Sequence, residues 1–378
     1  MVVDKALVEL VKISRAVGRD SSLILGGFGN TSAKAADGRY MYIKASGTAL
    51  KDMTCKKGWR RLKLQPVRAI LKDRALSGMD VCKREARIAK KLLAACDEKT
   101  EGDVRPSIES GFHSMLDRFV IHLHPVAVLA YVCAKNGRAE IERLFKGEKF
   151  PPAWVSCTTP GYLLAKKIEK IIGRYRDRYG RVPAVIFLQN HGLIVTAGDA
   201  DTALRLVSKT VRICGSKLRR PKKVKTKPAG RRQIAEASSA ISEAVFQATG
   251  KRTTVRHFIN DAIAEFMARK DAARLCSLPA VTGDELIHIG GPPVWIDKGD
   301  KAAVLDKLNR QVGDKLKLPV CFLIRSLGLF VAGDKKQPAF LKNIITTHLA
   351  VRRYASGLGG VHFLNKRHLK FLAGIEIR

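Results

Sequence analysis

Two histidines stand two residues apart in the apolar run Val120-Ile121-His122-Leu123-His124-Pro125. If that run is a strand, side chains at positions i and i+2 project from one face, so one face carries both imidazoles. Such a pair suits a divalent zinc ion, but a catalytic zinc site takes three protein ligands and keeps a position open for substrate. The pair alone is equally compatible with strand histidines satisfied by local hydrogen bonds. A third donor must come from elsewhere, and Val185 to Val195 offers one. There two apolar strand runs meet at the polar tetrad Gln189-Asn190-His191-Gly192, where buried polar groups are costly unless they are bonded or used. His191 is the natural third ligand.

The elements that must position these donors follow from the pattern. Apolar residues at helical spacing from Ala6 to Ala16 predict an opening helix closed near Gly18. Ser22 to Leu25 reads as a short strand running into Gly26-Gly27-Phe28-Gly29-Asn30-Thr31-Ser32, a loop whose amides and hydroxyls suit either an anion cradle or a hairpin turn. Its spacing is not that of a dinucleotide-binding fingerprint. Tyr40 to Lys44 predicts a strand, followed by a second small polar loop, Ala45-Ser46-Gly47-Thr48. Residues 65 to 98 read as mostly helical. Arg105-Pro106-Ser107-Ile108-Glu109 then leads into a helix through Phe112, Met115 and Leu116, with Ser107 as N-cap. Glu109 near that helix start has a structural reading as well, because the helix dipole favours a carboxylate there. Helices are expected at 126–147, 160–178 and 200–214.

At 378 residues the chain has room for two domains, on a prior of roughly 150 residues each. The expected division is a first domain over 1–215, a basic linker over 216–232 and a second domain over 233–378. Lys217 to Arg232 holds nine basic residues and no acid, which reads as a solvated linker. The 70 Lys and Arg against 34 Asp and Glu give a net charge of +36, a field that attracts phosphate in any form. With aromatics at 6% there is no basic groove interleaved with stacking rings, so specific nucleic-acid binding is not expected. No apolar span reaches the roughly 20 residues of a membrane helix, and the N-terminus shows no secretory signal. A cytoplasmic protein is expected, its eight scattered cysteines reduced and without a Cys-x-x-Cys pair.

The second half predicts helices at 232–248 and 259–274, a strand at Glu285 to Ile289 and a helix near 301–315. Val320 to Asp334 then repeats the pattern of Val185 to Asp199: apolar strand, polar interruption, Gly-Leu, apolar strand, Gly-Asp, helix. Leu327 stands where His191 stood. A degenerate, metal-less partial repeat of the first domain's last portion is the expectation, with His257, His288, His348, His362 and His368 as ordinary surface or core histidines.

Taken in order, Gly29-Asn30-Thr31-Ser32, Lys44-Ala45-Ser46-Gly47-Thr48, Pro106-Ser107-Ile108-Glu109, His122-Leu123-His124-Pro125 and Gln189-Asn190-His191-Gly192 resemble the class II aldolase/adducin-head family. The likeness is to the L-fuculose- and L-rhamnulose-1-phosphate aldolases, and in wording most to the aldolase portion of bifunctional rhamnulose-phosphate aldolase/dehydrogenase-type proteins. It covers about residues 20 to 200 closely and the rest more loosely. The resemblance implies an α/β class, with a three-layer α/β/α domain around a mainly antiparallel sheet, and a homo-oligomer. It implies zinc, or another divalent transition metal, on His122, His124 and His191. Glu109 matches the family's proton-shuttling acid at the metal, and Gly29, Asn30, Ser46, Gly47 and Ser107 fall on positions that hold the substrate phosphate. The fuculose-phosphate enzyme has two serines before its glutamate where this chain has Ser107 and Ile108, so one donor is missing or is supplied elsewhere, with Arg105 a candidate.

The implied reaction cleaves a ketose 1-phosphate into dihydroxyacetone phosphate and an aldehyde. Cleavage between C3 and C4 leaves an enediolate whose charge a metal ion stabilises as a Lewis acid. A phosphate gripped by loop amides fixes the reacting carbons against metal and base. Two alternatives share the motifs: a metal-dependent epimerase or dehydratase of the same fold, and a non-catalytic, adducin-like scaffold.

Overall fold

Asn30, Ser32 and Lys34 alternate along one strand and turn the same buried face toward a single short helix, so this polar segment is a structural core rather than a loop. A computed structural model describes residues 3–25, 28–97, 104–219, 229–297, 318–334 and 338–373, with 224, 302, 305 and 306. Two compact units result: Met1–Val132 with Arg138–Lys217, and Cys133–Gly137 with Leu218–Arg378.

The first unit contains a seven-stranded sheet of β1 (Asn30–Lys34), β2 (Tyr40–Lys44), β3 (Trp59–Lys63), β4 (Phe119–Leu123), β5 (Ala153–Val155), β6 (Val185–Leu188) and β7 (Gly192–Ala197), in the order β3-β2-β1-β4-β7-β6-β5. Only the β5–β6 pair is parallel. Helices cover both faces: Lys5–Arg19, Val126–Val132 and Ala200–Ser216 pack together on one, and Leu64–Lys72, Ser110–Met115 and Tyr162–Tyr179 on the other. On the second face Met41, Ile43, Leu62, Val120, Ile186 and Ile194 meet Val67, Phe112, Leu164 and Ile168 in one apolar cluster. The expected three-layer, mainly antiparallel α/β/α arrangement is present.

Several local expectations change. Ser22 to Leu25 is a turn, because the Asp20 carboxylate accepts from both the backbone N–H and the hydroxyl of Ser22. The strand begins at Asn30, within the segment expected to be a loop. The region 65–98 splits into helices Leu64–Lys72 and Val81–Ala94, and 126–147 into Val126–Val132 and Gly137–Leu144. Helix Ser110–Met115 starts later than expected, with Glu109 at its N-cap position and Ser107 Oγ accepting from the Glu109 N–H.

The second unit repeats this architecture more fully than its sequence suggests. Strands β8 (Thr254–Phe258), β9 (Val294–Ile296), β10 (Cys321–Ile324) and β11 (Gly328–Gly333) lie in the order β8-β11-β10-β9, with β9–β10 parallel and the other pairs antiparallel. Order and directions match β4-β7-β6-β5. The hairpin turns match too: Asn190 has φ 58° and Ser326 φ 66°, each two residues before the glycine that opens the next strand. Helix Arg231–Thr249 covers one face of this sheet through Ala237, Ile241 and Ala244.

Glu285 to Ile289 is helical rather than extended. Thr282 caps helix Gly283–Ile289 by accepting from the Glu285 N–H, and Gly290 ends it in the left-handed conformation. The expected helix at 259–274 is two, Asp261–Met267 and Ala272–Ser277. Apart from residues 302, 305 and 306, the helix expected at 301–315 lies outside the described residues, as do 220–223 and 225–228 of the basic stretch.

Candidate metal centre

His122 lies near the end of β4 and His124 one residue beyond it, while the β6–β7 hairpin brings His191 to the same end of the sheet. Asn190 makes that presentation possible. Its left-handed backbone, which asparagine tolerates better than most residues, turns the chain so that the His191 N–H closes the hairpin on Leu188 O. Gly192 is needed for a different reason: a Cβ there would sit 2.5 Å from both His124 Cδ2 and Leu123 O. The hairpin lies so close to the ligand strand that only glycine fits.

The three histidines converge. His122 Nε2 is 3.1 Å from His124 Nε2 and 3.3 Å from His191 Nε2, and all three donor atoms lie within 4.8 Å of one another. Nitrogens about 2.1 Å from a tetrahedral ion are separated by roughly 3.4 Å, so this spacing fits one shared cation. The His122 Nδ1–H donates to Leu193 O at 2.9 Å, which fixes the tautomer and leaves Nε2 as a lone pair. Burial holds the His122 imidazole well below its ordinary range, with Glu109 opposing only in part, so the ring is neutral as a metal ligand must be.

Glu109 closes the group from the helix side, its Oε2 3.4 Å from His122 Nε2 and its Oε1 3.6 Å from His191 Nε2. Burial alone would push its carboxyl up. The charge of His122 and His191 in their protonated forms, a 2.8 Å hydrogen bond from Asn30 Nδ2 and the nearby His113 outweigh that and hold it below the usual carboxylate range. Three converging imidazoles with an adjacent carboxylate are a donor set for a divalent transition metal.

The residues expected at a phosphate divide into two groups. Gly29 and Asn30 lie against β4: Asn30 pairs with His122 in register, and a Cβ on Gly29 would meet His122 O at 2.5 Å. Asn30 is buried, with its amide engaged by Glu109 and His113. Ser46, Gly47 and Ser107 come together on two joined loops, where the Ser46 N–H donates to Arg105 O and the Ser107 N–H to Lys44 O. Ser46 and Gly47 are exposed, Gly47 with φ 79° and open space around it. Gly26 and Gly27 lie outside the described residues.

Two residues emerge that the motifs did not flag as site residues. Lys44 ends β2 as a buried cation, its pKa pushed down to about 8 by burial and partly restored by Glu109. His113 lies one turn after Glu109 on helix Ser110–Met115, and the signal for it was the Glu-x-x-x-His spacing, which puts both on one helix face.

The family model described as Class II Aldolase and Adducin N-terminal domain matches residues 8–218, more than half of the chain. The chain belongs to the class II aldolase and adducin family. A curated relative named uncharacterized oxidoreductase YuxG, from Bacillus subtilis (strain 168), is 24% identical over 400 residues, spanning 94% of this chain and 55% of its own length. The chain thus spans about half the length of that relative. Among solved structures, the N-terminal class II aldolase domain of a conserved protein from Thermoplasma acidophilum is similar over 57% of this chain and 95% of that one, at 23% identity and a TM-score of 0.46. L-fuculose-1-phosphate aldolase from Thermus thermophilus is similar over 56% and 92%, at 16% identity and a TM-score of 0.34.

Within this class II aldolase-type chain, His122, His124 and His191 form the cluster among the described residues that could hold a metal ion. The second unit keeps part of its geometry without the chemistry. His257 pairs with Phe330 on β11 as His122 pairs with Ile194 on β7, each two residues past the opening glycine. Counting on from there, Ile259 and Leu327 stand at the places of His124 and His191, and His257 Nε2–H donates to Leu327 O at 2.8 Å. No helix among the described residues is long and apolar enough to cross a membrane.

Proposed function

We propose that the chain is a metal-dependent aldolase that cleaves a ketose 1-phosphate, of the deoxysugar type, into dihydroxyacetone phosphate and an aldehyde. The observation that carries this reading is the convergence of His122, His124 and His191 beside a buried, ionised Glu109. Zinc is the ion that three neutral imidazoles and one carboxylate suit best, and when bound it supplies Lewis-acid polarisation of substrate oxygens.

The remaining work falls to side chains and loops. The joined loops bearing Ser46, Gly47 and Ser107 offer hydroxyls and an open left-handed glycine to a phosphate, and Lys44 adds positive charge beside them. Held there, the sugar places C3 within reach of Glu109. That carbon carries the electron pair of the broken C3–C4 bond, and Glu109 exchanges a proton with it. The charge of +36 favours capture of a dianionic substrate. Gly29 and Asn30 serve the site from the β1 side, Asn30 through Glu109.

The test is a product panel: the protein is incubated with several ketose 1-phosphates, and free carbonyl products are identified alongside the bound metal. Dihydroxyacetone phosphate release that disappears in His122→Ala supports the reading. An isomeric sugar phosphate or a dehydrated product in its place would assign a different reaction to the same metal.

A further inference from the structure

The Glu109 carboxylate sits at the end of a buried hydrogen-bond chain. Its Oε2 accepts from Asn30 Nδ2 at 2.8 Å, the Asn30 Oδ1 meets His113 Nε2, and His113 Nδ1 meets Ser32 Oγ at 2.8 Å. Ser32 and His113 are fully buried and Asn30 nearly so. The carboxylate sets the polarity of the whole chain. A carboxylate only accepts, so Asn30 must present its NH₂ to Glu109 and its carbonyl oxygen to His113. His113 must therefore carry its proton on Nε2, and its bare Nδ1 accepts a hydrogen bond from the Ser32 hydroxyl.

The result for Glu109 is an asymmetry between its two oxygens. Oε2 is tied to Asn30, whereas Oε1 accepts no hydrogen bond from the described residues and faces His191 Nε2 at 3.6 Å. The helix carrying these groups is itself pinned. Lys34, two residues beyond Ser32 on the same face of β1, donates to His113 O, Leu116 O and Asp117 O at 2.7 to 2.8 Å. Arg68 donates to Ser114 O as well.

We infer that His113 is a positioning residue: acting through Asn30, it fixes Oε2 of Glu109 as the anchored oxygen and leaves Oε1 as the one that exchanges the proton with substrate. The inference rests on the proton-exchange role proposed for Glu109. It also gives Asn30 a job other than gripping phosphate, since its amide oxygen and one of its two amide N–H groups are committed.

The test has two arms. Imidazole nitrogen–proton correlation spectra of the zinc-loaded protein read the His113 tautomer without any turnover, with His113→Gln used for assignment. The Nε2–H form is expected, and the Nδ1–H form would overturn the chain's polarity whatever the substrate. In the second arm, incorporation of solvent deuterium at C3 of dihydroxyacetone phosphate reads the proton exchange. His113→Leu should lower its kcat by roughly 10–100-fold with KM and bound zinc unchanged. His113→Gln, which offers an amide N–H to Asn30, should recover part of the loss, and Ser32→Ala should cost on the order of tenfold. A His113→Leu rate within twofold of the parent, or a loss that tracks lost zinc, would overturn the positioning role. An Nε2–H tautomer in a parent protein that exchanges no deuterium would sink the aldolase reading while leaving the anchoring of Glu109 in place.

Discussion

Asn30 and His122 face each other on neighbouring antiparallel strands, so the side chain that holds Glu109 stands beside the histidine at the centre of the ligand cluster. One strand register therefore aligns carboxylate and metal ligands together. Asn30→Ala should leave zinc stoichiometry near that of the parent while lowering kcat by about 10–100-fold, because Glu109 loses its anchor but His122 keeps its hydrogen bond to Leu193 O. Metal analysis and steady-state kinetics on the same preparation separate the two effects.

Gly192 tests the packing of the ligands. An alanine Cβ would sit 2.5 Å from His124 Cδ2 and Leu123 O, and a backbone oxygen cannot be moved cheaply. Gly192→Ala should displace His124 or the hairpin and weaken zinc binding by roughly 10–100-fold, measured by competition with a chromophoric chelator. Unchanged affinity would mean that the hairpin and His124 are not so closely coupled.

Lys44 gives a pH dependence with a definite sign. Burial pushes its pKa down to about 8, with Glu109 pulling it partly back, so its ammonium is present below that pH and lost above it. The KM for a ketose 1-phosphate should rise between pH 7 and 9. Lys44→Arg, charged throughout, should flatten that rise, and Lys44→Met should show a high KM already at pH 7. A pH-independent KM in the parent would remove Lys44 from phosphate capture.

In the second unit, Arg352 and Glu285 are both fully buried, and Arg352 Nη2 lies 2.9 Å from each Glu285 oxygen. Val281 N–H and the carbonyls of Leu275 and Pro279 complete the network. Glu285→Ala strands a guanidinium without its counter-charge and should destabilise the unit by about 3–5 kcal/mol. Glu285→Leu combined with Arg352→Met should recover much of that in urea denaturation, because the buried charge is then gone altogether.

The clustered histidines were legible because their pattern is local, His-x-His and a polar tetrad between apolar strands, whereas Glu109 at a helix start reads as structural and was singled out only through the family resemblance. His113 was not legible. It sits among Phe112, Met115 and Leu116 in a helix that reads as core, and its Glu-x-x-x-His spacing gains meaning from the contacts of Asn30 and Ser32. The same contacts explain why β1 was missed. Asn30, Ser32 and Lys34 have the composition of a loop, but each is buried and bonded, so tertiary contacts override the local preference. Glu285 to Ile289 failed in the opposite direction. Its isoleucines suggest a strand, yet the Thr282 cap, the Gly290 stop and the Glu285–Arg352 pair decide for helix. The hairpin repeat was visible in the sequence, but β8 was not, and only its register on β11 extends the repeat back to the counterpart of β4.

The central claim is that His122, His124 and His191, with Glu109 beside them, hold a divalent metal that the cleavage of a ketose 1-phosphate requires. The most direct measurement is dihydroxyacetone phosphate release from L-fuculose 1-phosphate and L-rhamnulose 1-phosphate by the whole chain, before chelation, after it, and after zinc is returned. Turnover of at least one substrate that is lost on chelation and regained with one zinc per chain is the predicted result. Turnover indifferent to chelation, or none with the site fully zinc-loaded, would contradict it.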